Sequence, residues 1–242
     1  MPGKFRKLLL VALLLGTSLT ALAQETTKRN DRPQDSGAPA PRSEENKKAP
    51  EGPRYSYEFA QKEFVISHIV ITHDATGRGQ ISFERKGEET AIIEPVELSK
   101  VAWGRISGLW SDLRFLDSTE NYQASKNFAH LGTYKLGMDD GKRQRTAEFN
   151  WSDNKTAWAL ANEYRRVADQ AILIFNIKLA REMQPLNVPS LLNEMDSQIK
   201  RDGLSDPRQL VPLLNELRVD EHIPLIARNS AERILKKIEK SP

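Results

Sequence analysis

The spacing of apolar side chains changes period once along this chain of 242 residues. Before about residue 151, apolar residues alternate with polar ones in short runs broken by glycine; after it, they recur every three or four positions. Alternation places one face of a strand on a core, and the longer period does the same for a helix. Strand-patterned segments followed by helix-patterned ones predict an α+β chain with the two kinds segregated.

In the first part, Phe64 to Thr72 is rich in β-branched residues with apolar positions on both faces, which predicts a central strand. Gly77 and Gly79 break it, Ile81 and Phe83 alternate with polar residues in a return strand, and a third strand follows around Thr90 to Val96. Ser99 is placed to cap a helix reaching about Arg114, with Ala102, Ile106, Leu109, Trp110 and Leu113 on one face. Gly104 and Gly108 lie one turn apart in it; glycine weakens helices, so close packing on a neighbour is the expected reason for them. A second hairpin is predicted from Tyr134, Leu136 and Met138, the turn Asp139-Asp140-Gly141-Lys142, and a return strand carrying Arg143, Arg145, Ala147, Phe149 and Trp151 on one face. The expectation for residues 54–151 is a small antiparallel sheet of about five strands with one helix. This half resembles small secreted bacterial domains of unknown function, a resemblance that implies no activity.

Residues 152–242 predict a helical bundle that shares one core with the sheet. A long helix starts at Ser152 or Asp153 and ends before Pro185. Its stretch Ala171 to Ala180 is apolar on nearly all sides but too short for a membrane span, which fits burial between the sheet and later helices. Another helix runs from Pro189 to Asp202, with Gly203 at its stop. From Asp206 to Ile238, the residues Asp206-Pro207, Leu210, Pro212-Leu213-Leu214, Leu217 and Asp220, then Ala227-Arg228, Ala231, Ile234-Leu235 and Ile238, resemble one HEAT repeat. The resemblance implies a helical hairpin in which Pro212 kinks the first helix while Asp220 and Arg228 make structural hydrogen bonds near the turn. The chain departs from that pattern by one extra residue between Asp220 and Arg228. With Leu213, Leu214, Leu217, Ile226, Ile234 and Leu235 facing inward, the pair is too small to stand alone and is expected to pack on the long helix around Ile172 to Ile177.

The first residues read as a bacterial signal peptide. Lys4, Arg6 and Lys7 precede the apolar run Leu8 to Leu15, and Ala21-Leu22-Ala23 places cleavage between Ala23 and Gln24. Residues 24–53 hold five prolines, six basic and six acidic residues and no aliphatic side chain larger than alanine, the composition of a disordered linker. There is no cysteine, so neither a lipidated N-terminal cysteine nor a disulfide is expected. Removing Lys4, Arg6 and Lys7 brings the 36 Lys+Arg to parity with the 33 Asp+Glu. A formally neutral mature chain lacks the basic excess of a nucleic-acid binder.

Motifs for chemistry do not assemble. His68 and His73 fall on opposite faces of a strand and its exit, and with no His-Glu-x-x-His helix no metal or cofactor is expected. Asp74 begins a loop that places Arg78 and Arg85 where a calcium loop needs oxygen ligands, so it is a turn. Ser125, His130 and Asp117 are a chance spacing of nucleophile, base and acid. The candidate partner-binding residues are Asn121, Tyr122, Lys126 and His130 in one loop, with Arg143 and Arg145 on the second hairpin. Truncating either arginine is expected to leave folding almost unchanged. The functional expectation is an exported, non-enzymatic module that binds a protein or an envelope component, periplasmic or secreted, with no membrane span after cleavage. The alternative is a hydrolase acting on an envelope polymer. A shallow apolar groove favours the first, and a deep polar cleft with close Asp/Glu or Ser/His pairs favours the second.

Overall fold

The computed structural model describes residues 52–88 and 90–240. The expected signal segment, its expected cleavage between Ala23 and Gln24, and the expected linker up to residue 51 lie outside the described residues. Six strands form one antiparallel sheet: β1 (Arg54–Ala60), β2 (Ile66–His73), β3 (Arg78–Arg85), β4 (Ile92–Glu97), β5 (Thr133–Asp139) and β6 (Gln144–Phe149), in the order β4-β3-β2-β1-β5-β6. With helices α1 (Lys100–Asp112), α2 (Lys155–Met183), α3 (Val188–Lys200), α4 (Val211–Leu217) and α5 (Leu225–Lys240), the fold is α+β with a C-terminal helical part.

The sheet has six strands where about five were expected, and the added strand is β1. Its Tyr55, Tyr57 and Phe59 alternate with Ser56 and Glu58, and the three rings are buried. β1 pairs with both β2 and β5, so the chain's two hairpins are joined only through it. β2 begins at Ile66, which leaves Phe64 and Val65 exposed in the preceding turn.

The Ser99 hydroxyl caps α1 by accepting from Ala102 N–H at 3.1 Å. Ala102, Ile106 and Trp110 then turn onto the sheet and α2. Gly104 and Gly108 are a correction: both face solvent, and a Cβ at either would have no heavy atom within 4 Å. Close packing does not account for them. Asn154 caps α2 through hydrogen bonds from the N–H groups of Thr156 and Ala157 at 3.1 and 3.0 Å.

The described residues form one compact unit, yet their buried apolar side chains form two clusters. One joins the sheet, α1 and the first half of α2, through Ile172; the other joins α2 from Leu173 onward to α3, α4 and α5. The two clusters meet end to end along one continuous helix. Hydrogen bonds lock the junction: Gln209 Nε2 donates to the Glu97 carbonyl at 2.9 Å, Gln170 Nε2 to Gln209 Oε1 at 3.1 Å, and Asp206 N–H to Gln170 Oε1 at 2.9 Å. Arg105 Nη2 adds a bond to the Ser205 carbonyl at 2.5 Å.

Inside the first cluster, His73 pins β2 to both helices. The Asp74 carbonyl, 2.8 Å from Nδ1, can only accept, so Nδ1 carries the proton. Nε2 then accepts from the Tyr164 hydroxyl at 2.7 Å, and that oxygen accepts from Trp110 Nε1 at 3.0 Å. Burial pushes the imidazole pKa below its ordinary value, in keeping with a neutral ring.

Candidate functional site

The structure brings Tyr122 and Arg145 together and gives the six candidate binding residues different roles. Asn121 turns the chain by accepting from Gln123 N–H at 3.0 Å, and Lys126 and His130 are exposed side chains in the loop that follows. Tyr122 is 2% exposed, stacked on Phe115, and belongs to the core. Arg145 holds the loop in place. Its Nη1 donates to the Phe115 carbonyl at 2.7 Å and to the Tyr122 hydroxyl at 3.1 Å, and its Nη2 donates to the Glu120 carbonyl at 2.6 Å. The guanidinium lies 4.4 Å from the Phe115 ring centre and 5.1 Å from that of Tyr122. Tyr122 and Arg145 are therefore structural, and truncating Arg145 leaves several groups without partners. Arg143 is exposed and pairs with Asp117 and Asp140. Asp117 is thus engaged by an arginine and not by His130.

The HEAT-like positions are also placed. Pro212 is the second residue of α4, where a 3-10 turn (Pro207–Leu210) passes into the helix. Asp220 accepts from His222 N–H at 2.9 Å and from Arg181 Nε of α2 at 2.5 Å. The His222 N–H first, and Arg181 after it, hold this carboxyl below the usual carboxylate range. Arg228 differs from the expectation, because its Nε is buried without a hydrogen-bond partner. Ile226 is exposed as well, and Ile223 is the residue that enters the core in that turn.

The surface with the chemistry of a binding site lies at the far end of the helical layer. In the second half of α2, Leu173, Ile177 and Ala180 turn inward. The neighbouring stripe Asn176, Leu179 and Met183 recurs at the same helical spacing and is left uncovered. With Leu191 of α3 it lines a groove of about 590 Å³, walled on the sheet side by Arg85, whose Nη2 donates to Asn176 Oδ1 at 2.7 Å. The α2–α3 connection is short and stiffened by Pro185 and Pro189, and it presents Leu186 outward, 83% exposed beside Met183 at 71%. Val219 of the α4–α5 turn and Leu225 and Ile226 at the start of α5 are each more than 60% exposed. Arg181 brings that turn to the same end, bonding Glu216 at 2.9 Å as well as Asp220. Met183 and Leu186 thus stand exposed beside the groove, and Val219, Leu225 and Ile226 are exposed next to the segment that Arg181 ties to α2. Sequence reading counted Ile226 as core and passed over Met183 and Leu186; the signal for Met183 was the width of the apolar stripe on α2, broader than one packing face requires.

Among the described residues no helix is long and apolar enough to cross a membrane, and no group of three or more His, Asp or Glu is arranged to hold a metal ion. No protein-family model matches the chain and no curated protein is significantly similar to it, so the functional reading rests on this geometry.

Proposed function

We propose that this is an exported bacterial envelope protein that acts without catalysis, binding a protein partner at the apolar end of its helical layer. The observation that carries the reading is the exposure of Met183 and Leu186 beside the groove that Leu179, Met183 and Leu191 line. Single exposed apolar residues are ordinary, but a cluster of them beside an apolar groove has the make-up of a recognition surface. Methionine suits such a surface because its thioether side chain adapts to the shape it meets. The HEAT-like hairpin exposes Val219, Leu225 and Ile226 as well, and elements of that kind serve as contact surfaces. The shallow groove of Leu179, Met183 and Leu191 is the feature that favours binding over hydrolysis. Export rests on the basic, apolar and Ala-Leu-Ala succession over residues 1–23.

Two measurements test this reading. N-terminal sequencing of protein from the cell envelope is expected to begin at Gln24; a chain that retains Met1 contradicts cleavage. Affinity capture from envelope extract is expected to retain a partner with the wild-type chain and lose it with Met183→Glu combined with Leu186→Glu. Both positions are exposed, so the double variant should keep its melting temperature. Equal capture by wild type and variant would sink the assignment to this surface.

A further inference from the structure

A second surface, chemically unlike the first, lies on the opposite face of the sheet. Tyr57, Ile71, Leu136 and Phe149 face the helices, so the alternate residues of the same strands point away from them. Among the described residues no strand places a Phe, Tyr or Trp side chain on that outer face. It carries two contrasting rows. In one, Lys135, Glu58, His68 and Glu84 form an ion chain across four strands at 3.6, 3.1 and 3.1 Å, and these groups satisfy each other.

The other row is uncommitted. Register aligns Gln80, Thr72, Ser56, Gly137 and Thr146 straight across β3, β2, β1, β5 and β6. Among the described residues the side chains of Ser56, Thr72, Gln80 and Thr146 take part in no hydrogen bond. A Cβ at Gly137 would come within 2.3 Å of Ser56 Oγ, so the Ser56 hydroxyl leans over the glycine and covers that position of the row. A trough of about 600 Å³ follows it, with Arg54, Arg78, Asp74 and Asp139 at the rim.

The chemistry of the row narrows the ligand. Two arginines and two aspartates balance at the rim, which gives no preference for a polyanion or a polycation. Without rings or aliphatic side chains in the row, neither aromatic stacking nor lipid burial is favoured. Hydroxyl and amide groups that both donate and accept remain, and these match a ligand that is neutral and rich in hydroxyls. The row crosses five strands, a length of about 19 Å at ~4.8 Å per strand, enough for several sugar rings. An extended peptide is recognised at a sheet edge through its backbone, whereas this row lies on a face whose backbone groups are already paired. We propose that the Gln80–Thr146 row is a binding site for a neutral oligosaccharide. It is independent of the apolar end of the helices.

Titration of the isotope-labelled full chain with chitohexaose, cellohexaose and maltohexaose, followed by amide NMR shifts, tests this. At least one sugar should give saturable shifts centred on Ser56, Thr72, Gln80 and Thr146. Thr72→Val combined with Thr146→Val keeps the β-branched shape and removes two hydroxyls; it should weaken binding about tenfold, equivalent to roughly 1.4 kcal/mol. Gln80→Ala, a single exposed change, provides the same readout should the double variant fold poorly. The proposal is overturned by no saturable shift with any of the three sugars, by shifts mapping to another surface, by undiminished binding of the folded variants, or by an uncharged Gly-Ser-Thr peptide occupying the row where the sugars do not.

Discussion

Arg143 and Arg145 stand two residues apart on one hairpin and have different roles, set by what surrounds each guanidinium. Arg145 lies against two rings and satisfies two carbonyls and a hydroxyl, so Arg145→Ala is expected to cost about 2–4 kcal/mol in urea denaturation. Arg143→Ala removes only exposed ion pairs and should leave the midpoint unchanged within error. The two strand histidines differ just as clearly. Burial lowers the His73 pKa, so as pH falls below the ordinary imidazole value of about 6.5 the unfolded chain takes up the proton first and stability declines. For His68 burial acts in the same downward direction, but its hydrogen bonds to Glu84 and Glu58 outweigh it and raise the pKa. The His68 contribution is complete below about pH 6.5 and is lost as pH rises through its raised folded value. His68→Gln should therefore lower the melting temperature most at mildly acidic pH and least at alkaline pH, making the acid-side decline steeper than in wild type. A uniform shift at all pH values would show that the ion chain does not hold His68 charged.

At the scale of elements, α1 offers a stability gain. Gly104 and Gly108 are helical, exposed and surrounded by open space, so Gly104→Ala and Gly108→Ala should each stabilise by about 0.5–1 kcal/mol, read as a higher denaturation midpoint. A loss at either position would reveal a contact that needs the missing side chain. The start and inner face of α1 were legible in Ser99 and in the Ala102, Ile106, Trp110 spacing, because a cap and a helical stripe are local properties. β1 was written as plainly in Tyr55, Tyr57 and Phe59, but as alternating rings beside Pro53, without the β-branched residues that made β2 conspicuous. Its central place was not local: it depends on hydrogen bonds to β5, far along the chain.

For the whole molecule, α2 decides whether two clusters behave as one. All four tryptophans, at 103, 110, 151 and 158, sit on the sheet side, whereas much of the helix lies beyond Ile172. Leu214 is fully buried in the second cluster, and Leu214→Ala should cost about 2–5 kcal/mol. With α2 continuous and Gln170, Gln209 and Arg105 bridging the junction, tryptophan fluorescence and far-ultraviolet circular dichroism should still report one shared transition. If the helical signal melted first while fluorescence kept its midpoint, the two clusters would be independent domains.

The sequence by itself determined the α+β class, the order of strand-rich and helix-rich halves, and most helix starts, because these follow from side-chain periodicity and capping groups a few residues apart. It also determined that the chain is free of cysteine and carries nearly balanced charge, 36 Lys+Arg against 33 Asp+Glu. Only the tertiary structure decided that Tyr122 is buried with Arg145 packed against it, that Ile226 faces out where Ile223 faces in, and that Gln80, Thr72, Ser56 and Thr146 fall into one line. Each of those depends on which distant segments pack together. Strand register aligns residues up to ninety positions apart, counted from Ser56 to Thr146, and no window of neighbouring residues encodes that alignment.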